Sequence, residues 1–429
     1  EVDIFDRLPS PWGLARGGVA PDHQGTRRII DTFETSVRKP SVAAHLNVEI
    51  GTHISHDELL QYHHAVIYAV GASSDRHLGI PGEDLSGSVA ATEFVAWYNG
   101  HPDHSDRTFD LSGERAVVVG NGNVALDVAR VLVTDPEELA QTDIADHALA
   151  ALRESNIREV VVLGRRGPVQ AAFTSKELMG LDDVPGVDVV VDPADLELDE
   201  HSRAFIESDA CPYPVPRKLE WLREYAGRTP DPDNRRIVLK FLGSPVAIEG
   251  DGQVERVSVA RTELDTDDSG RLQARATDAI DTIETGLVLR SIGYRGVPLD
   301  GVPFDERRGI IPNEGGRVID PETGEPVAGV YVSGWIKRGP SGTLGTNKKD
   351  SGDTVNLLAE DVKSGTLNRP VESRDALDKL LATRQPDVVD FAEWKVLKQA
   401  EAAAGKESGR PRVKVTDAAR MVDIAKGRA

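Results

Sequence analysis

The sequence is poor in cysteine, with Cys211 as the only one among 429 residues. An internal disulfide, a Cys-x-x-Cys redox pair and a four-thiolate iron–sulfur site are therefore excluded. Any electrons that this chain handles must leave through another molecule. No apolar run approaches the ~20 residues of a membrane span, and no secretory signal opens the chain at Glu1. We expect a cytoplasmic protein with no membrane partner.

Basic residues are also scarce, since 50 lysines and arginines stand against 71 aspartates and glutamates, for a net charge of −21. This balance argues against a nucleic-acid partner, because phosphate binding needs a basic face. The stretch 204–236 is the exception, and it is either a solvated face or a docking surface for an acidic protein. Its basic residues are Arg217, Lys218, Arg223, Arg228, Arg235 and Arg236.

A glycine-rich turn follows three consecutive valines at 117–119, which predict a short buried strand. Gly120 permits a tight turn, Gly122 lets a pyrophosphate approach the backbone, and Ala125 lets helix and strand pack closely. The phosphates then lie at the positive end of the helix. The segment predicts a dinucleotide site, with a purely structural turn as the alternative.

The end of the next predicted strand favours NADP over NAD. NAD sites place an acid there for the ribose 2′-hydroxyl, whereas Arg165 and Arg166 suit a 2′-phosphate. Arg165 lies 45 residues after Gly120, beyond the usual ~20, and an extra helical segment accounts for the difference. A surface arginine pair is the alternative.

Four other features are less specific. A predicted strand ends on Asp6, which either accepts a ribose hydroxyl or is a surface residue of an edge strand. Trp335 precedes a glycine-rich turn at 339–346, where it either stacks on an aromatic ring or fills a core. His23 lies near a predicted helix start, as a cap or surface histidine commonly does. Further strands are predicted at 48–51 and 65–71.

Five blocks of the sequence, in order, resemble the adrenodoxin reductase type of ferredoxin:NADP reductase, and most closely its actinobacterial members. The resemblance covers most of the chain up to about Leu358. The blocks are Pro11-Trp12-Gly13-Leu14, Gly18-Val19-Ala20-Pro21-Asp22-His23, Gly120-Asn121-Gly122-Asn123-Val124-Ala125, Gly164-Arg165-Arg166-Gly167-Pro168 and Gly334-Trp335-Ile336-Lys337-Arg338-Gly339-Pro340.

The resemblance implies an α/β fold with two Rossmann-like nucleotide-binding domains, the NADP domain (75–299) being inserted in the FAD domain (1–74 and 300–429). It implies hydride transfer from NADPH to FAD and then transfer of single electrons to a ferredoxin. His23 becomes the candidate catalytic residue, near the flavin, where it tunes polarity or proton uptake. The implied FAD contacts are Asp6, Leu14, Ile50, Trp335, Gly342, Thr343 and Leu344. The implied NADP contacts are Arg76, Asn121, Gly122, Asn123, Val124, Arg165, Arg166, Glu177 and Gly342.

The sequence departs from the family pattern in two places. The family usually follows the Glu-Leu of the 177–178 segment with Arg-Glu, whereas Met179-Gly180 stands here. We therefore expect His23 to lack a carboxylate partner. The family's first glycine-rich turn, which holds the FAD pyrophosphate, would have to precede Glu1, and the chain begins without Met. This predicts weak FAD binding by the chain as given, with a non-catalytic NADP-binding fragment as the alternative function.

Overall fold

The computed structural model describes residues 1–342 and 344–428. In chain order its strands are β1 (Val2–Asp6), β2 (Val42–Leu46), β3 (Val66–Tyr68), β4 (Ser74–Asp75), β5 (Ser88–Ala90), β6 (Arg115–Val119), β7 (Glu159–Gly164), β8 (Val187–Val191), β9 (Arg235–Phe241), β10 (Gly243–Glu249), β11 (Arg256–Thr266), β12 (Leu272–Glu284), β13 (Leu287–Arg290), β14 (Tyr294–Arg295), β15 (Asn313–Glu314), β16 (Arg317–Ile319) and β17 (Pro326–Val332).

The α-helices are α1 (Gly13–Gly17), α2 (Gln24–Arg27), α3 (Ile29–Val37), α4 (His56–Tyr62), α5 (Ala91–Tyr98), α6 (Asn123–Val133), α7 (Pro136–Leu139), α8 (Asp146–Arg153), α9 (Ser175–Met179), α10 (Glu200–Glu207), α11 (Pro214–Ala226), α12 (Trp335–Arg338), α13 (Leu344–Ser364), α14 (Arg374–Arg384), α15 (Phe391–Glu407) and α16 (Ala418–Ala425). Short 3₁₀ turns cover Pro102–His104, Pro168–Gln170 and Pro193–Leu196. Of the helices described, none is long and apolar enough to cross a membrane.

A six-stranded parallel sheet forms the centre of the fold, in the order β5-β13-β6-β7-β9-β8. Side chains alternate between its faces because successive residues of a strand point in opposite directions. On β6, Ala116 and Val118 lie in the core formed with the helices. Val117 and Val119 lie in a second core formed with the antiparallel sheet β10-β11-β12. The sheet is thus covered on both sides, which explains its continuous apolar strands.

Two smaller sheets are formed by the two ends of the chain. β1 pairs in parallel with β2, with Asp6 opposite Leu46, and helices α3, α15 and α16 cover this pair. β3 pairs in parallel with β17, at the edge of the sheet β15-β16-β17-β3. The α/β class with parallel sheets is therefore confirmed. The strand predicted at 48–51 is wrong, because the chain turns at Asn47, which has φ +63°, and the paired strand is β2.

Buried polar contacts join the two ends of the chain to the part that carries the large sheet. Arg27 donates to the carboxylate of Asp143 at 2.8 Å, and Lys414 donates to the carbonyl of Asn99 at 3.1 Å. Arg16 and Glu401 form a second buried ion pair, which joins the two ends of the chain to each other. Buried ion pairs lose much of their Coulomb energy to desolvation, so we read these contacts as fixing orientation rather than as a large source of stability.

Candidate active site

The predicted dinucleotide turn lies between β6 and α6 with the expected geometry. Gly120 has φ +116°, and a Cβ there would lie 2.2 Å from the carbonyl oxygen of Ser291, so only glycine fits. Gly122 precedes α6 without a side-chain cap, and a Cβ there would meet nothing within 4 Å. The first N–H groups of α6 therefore face open space, as a pyrophosphate site requires.

The turn also holds the segment that leads to α9. The carbonyl of Asn121 accepts the N–H of Phe173 at 3.0 Å, and the side-chain oxygen of Asn123 accepts the N–H of Thr174 at 2.7 Å. Thr174 in turn caps α9, which carries Glu177 on its first turn. The two asparagines therefore bring Glu177 beside the nucleotide turn.

Arg165 and Arg166 follow β7, the strand next to β6. Both are exposed, and neither forms an ion pair within residues 1–342 and 344–428. Partial burial and the charge of Arg165 lower the pKa of Arg166. Arg76 is likewise exposed, and its backbone N–H donates to the carbonyl of Gly293. Neighbouring guanidinium groups that no carboxylate neutralises fit a 2′-phosphate.

His23 lies in a cluster of charged groups, which contradicts the expectation that it has no carboxylate partner. Its Nε2 is 3.6 Å from Glu177 Oε2, and its Nδ1 is 3.8 Å from Asp127 Oδ1. Glu177 reaches His23 because the bond between Thr174 and Asn123 places α9 over the start of α6. The expected loss of ionic coupling at His23 was therefore wrong.

Arg130 lies at the centre of this cluster and bonds to Asp22 and Asp127. Burial favours a higher pKa for Asp22, but the hydrogen bond and charge of Arg130 outweigh it, so the pKa is lowered. Burial raises the pKa of Asp127 in spite of Arg130. The donor atoms of His23, Asp127 and Glu177 lie within 4.8 Å of one another, a spacing that could hold a metal ion. The guanidinium of Arg130 already supplies these carboxylates with the positive charge that a metal ion would bring.

Asp6, Leu14 and Ile50 lie on the small-sheet side of the molecule. Burial raises the pKa of Asp6 to about 6, and one of its carboxylate oxygens accepts the N–H of Leu8 at 2.9 Å. Leu14 on α1 is 51% exposed, and Ile50 is half-buried between two apolar clusters. Trp12 contacts Trp394, and its indole N–H is buried without a partner. An aspartate at a strand end and an unsatisfied indole fit the adenosine end of a dinucleotide.

Trp335 begins α12 and stacks on Tyr294, with ring centroids 5.4 Å apart and an interplanar angle of 14°. Its indole N–H is also buried without a partner. Gly342 has φ +85°, and a Cβ there would collide with Thr346. Leu344 begins α13, whereas Thr343 lies outside the described residues. Within those residues, no hydrogen bond or ring contact joins Trp335 to Asp6.

No protein-family model matches the chain. NADPH-ferredoxin reductase FprA of Mycobacterium leprae is 50% identical to it over 430 residues, which are 99% of this chain and 92% of that protein. The mitochondrial NADPH:adrenodoxin oxidoreductase of Arabidopsis thaliana is 41% identical over 433 residues, with 96% and 88% covered. Mycobacterium tuberculosis FprA in complex with NADPH superimposes with a TM-score of 0.93 at 49% identity, covering 99% of this chain and 92% of that one. The chain belongs to the adrenodoxin reductase type of NADPH-ferredoxin reductases.

Three residues of the site in this reductase are not predicted by the sequence motifs. Asp127 and Arg130 were not selected, although they follow Asn123 by four and seven residues and so share a face of α6. Tyr294, which stacks on Trp335, was also missed. The helical spacing could have identified the first two. Tyr294 and Trp335 are 41 residues apart in the sequence, and no local pattern connects them.

Proposed function

We propose that the chain is an FAD-dependent NADPH:ferredoxin reductase. The observation that carries this proposal is the pair Arg165 and Arg166, unpaired within the described residues and adjacent to an open glycine turn. The comparisons support it, because relatives at about half identity over nearly the whole chain are named NADPH-ferredoxin reductases. We also propose the domain division 75–299 for NADP and 1–74 with 300–429 for FAD.

Each of the NADP-facing residues would contact a different part of the cofactor. Gly122 and the start of α6 would receive the pyrophosphate, with Asn121, Asn123 and Val124 shaping the turn. Arg165 and Arg166 would bind the 2′-phosphate, which NADH lacks. Arg76 would add a further positive charge from the segment after β4. Glu177 would border the nicotinamide end beside His23.

The FAD-facing residues would orient the isoalloxazine ring of FAD against the nicotinamide of NADPH. Asp6 would accept the ribose hydroxyl, and Leu14 and Ile50 would contact the cofactor through apolar surface. Trp335, held by its stack on Tyr294, would line the flavin together with Gly342, Thr343 and Leu344. When bound, FAD accepts a hydride and releases electrons singly, which suits a one-electron acceptor. The protein would supply orientation and exclude water.

A ferredoxin is the proposed electron acceptor, and the structure narrows the surface proposed for it. Lys218 is buried and donates to the carbonyls of Ala171 and Phe173, so it does not belong to a basic face. Arg217 and Arg228 pair with carboxylates. Arg223 has no ion-pair partner within residues 1–342 and 344–428, and it borders a groove of about 410 Å³ between α10 and α11.

The proposal is tested by supplying the purified chain with FAD, NADPH and a ferredoxin and following ferredoxin reduction. A reductase reduces the ferredoxin only when all components are present. A non-catalytic NADP-binding fragment, the alternative, binds NADPH and reduces nothing.

We also propose that the protein is cytoplasmic, and cell fractionation of the source organism would test this location.

A further inference from the structure

Arg130 joins elements that lie more than one hundred residues apart in the sequence. It stands on α6, its side chain is 3% exposed, and its Nε donates to Asp22 Oδ2 at 2.5 Å. Its Nη2 donates to Asp127 Oδ1 at 2.6 Å and to Asp22 Oδ1 at 3.1 Å. Its Nη1 is 3.8 Å from Glu177 Oε2. One guanidinium therefore fixes the loop before α2, α6 itself and α9 relative to one another.

The same Nη2 of Arg130 lies 3.1 Å from Nε2 of His23. A guanidinium carries only donors and does not deprotonate in proteins. Nε2 must therefore be the acceptor of this contact and carry no proton. The neutral ring then holds its proton on Nδ1, which faces Asp127 Oδ1 at 3.8 Å. The position of Arg130 thus determines the tautomer of His23.

Other groups around His23 favour a proton on Nε2 instead of Nδ1. Glu177 Oε2 is 3.6 Å from Nε2 and would attract a proton there, and Asp22 and Asp127 add negative charge from its own loop and from α6. Tyr98 on α5 brings a buried hydroxyl with no partner to the same region. Arg130 is the one cation among the groups that contact His23 in the described residues. Without it, Nε2 would face the carboxylate of Glu177, and a neutral ring would carry its proton on Nε2.

We propose that Arg130 is a positioning residue that selects the Nδ1–H tautomer of His23 and fixes the ring between Asp127 and Glu177. The inference rests on the proposed function for its importance to turnover, because it places His23 where the nicotinamide would meet the flavin. It makes Nε2 an acceptor in the resting enzyme, so a proton taken up during turnover would enter there.

The test compares Arg130→Met and Arg130→Lys with the parent chain and with Arg27→Met. Arg27 is a matched control, because its side chain is also buried and also bonds across to the large-sheet part, through Asp143, but makes no bond to the His23 imidazole. We expect Arg130→Met to lower kcat by about 10- to 100-fold with KM for NADPH within about 3-fold, the pattern of lost orientation. Arg130→Lys keeps the charge and should fold, but its single nitrogen cannot span the positions that the three guanidinium nitrogens occupy, so kcat stays low. Arg27→Met should lower the melting temperature and leave the His23 tautomer unchanged.

Imidazole ¹⁵N NMR provides a readout that needs no turnover. At a pH where the ring is neutral, the parent should show the Nδ1–H tautomer of His23, and Arg130→Met should show the Nε2–H tautomer, with Glu177 as the acceptor. The Nε2–H tautomer in the parent, or an unchanged Nδ1–H tautomer in both Arg130 variants, would overturn the inference. An inactive parent chain with the expected NMR result would instead count against the proposed function alone.

Discussion

The preference for NADPH over NADH should depend on Arg165 and Arg166. Replacing both with alanine removes two guanidinium groups that are exposed at the end of β7. A hydrogen bond to a charged group contributes about 1.5 to 3 kcal/mol. Because these side chains are exposed and solvent screens them, we use the lower value for each. The pair then accounts for about 3 kcal/mol, or roughly 150-fold in relative affinity.

The assay is the ratio of kcat/KM for NADPH to kcat/KM for NADH, with ferricyanide as the electron acceptor. We expect the ratio to fall about 100-fold in the double variant, with little change for NADH. Arg158→Ala with Arg236→Ala is the matched control, since both arginines are exposed and lie at the opposite end of the same sheet. The control should keep the parent ratio. A ratio that changes less than about 3-fold in the Arg165 and Arg166 variant would refute the 2′-phosphate assignment.

Three further predictions concern the turn, the buried aspartate and the docking groove. Gly122→Ala should keep the parent melting temperature but weaken NADPH binding, because its Cβ enters open space that the pyrophosphate needs. Gly120→Ala should instead lower the melting temperature, because its Cβ would clash with the backbone and its φ is positive. Burial raises the pKa of Asp6 to about 6, so the parent without FAD should lose stability as the pH rises from about 4 to about 6. Above that pH range, Asp6→Asn should be about 3 kcal/mol more stable than the parent, as measured by urea unfolding. Arg223→Glu should raise KM for ferredoxin several-fold at low salt and less at high salt, with ferricyanide reduction unchanged, since exposed charge attraction is screened.

Patterns among adjacent residues predicted the secondary-structure elements whose sequence is distinctive by itself. The valines of β6, the strand that ends at Asp6 and the glycine turn at Gly120 were all predicted from adjacent residues, and the structure confirms their geometry. The strand β2 was not predicted, because two alanines and a histidine weaken its β-propensity. It is defined instead by pairing with β1, which begins forty residues earlier in the sequence.

Long-range packing determined the features that local patterns missed. Gly405 lies within α15, although glycine is a poor helix former, and the backbone of Arg412 packs where its Cβ would be. Lys218 was read as part of a basic face, yet it is buried against two carbonyl groups. The cluster around Arg130 joins residues 22–23 to residues 127–177. Such contacts cannot be inferred from spacing along one strand or helix.

The most direct test of the account is the visible absorbance of the purified chain after incubation with FAD. We predict that the chain binds FAD while FAD is supplied in excess, and that anaerobic NADPH bleaches the flavin absorbance faster than NADH does. Addition of an oxidised ferredoxin should then restore the absorbance. A chain that binds no flavin even with FAD in excess, or whose bound flavin NADPH does not bleach, would contradict the proposal that it is a reductase.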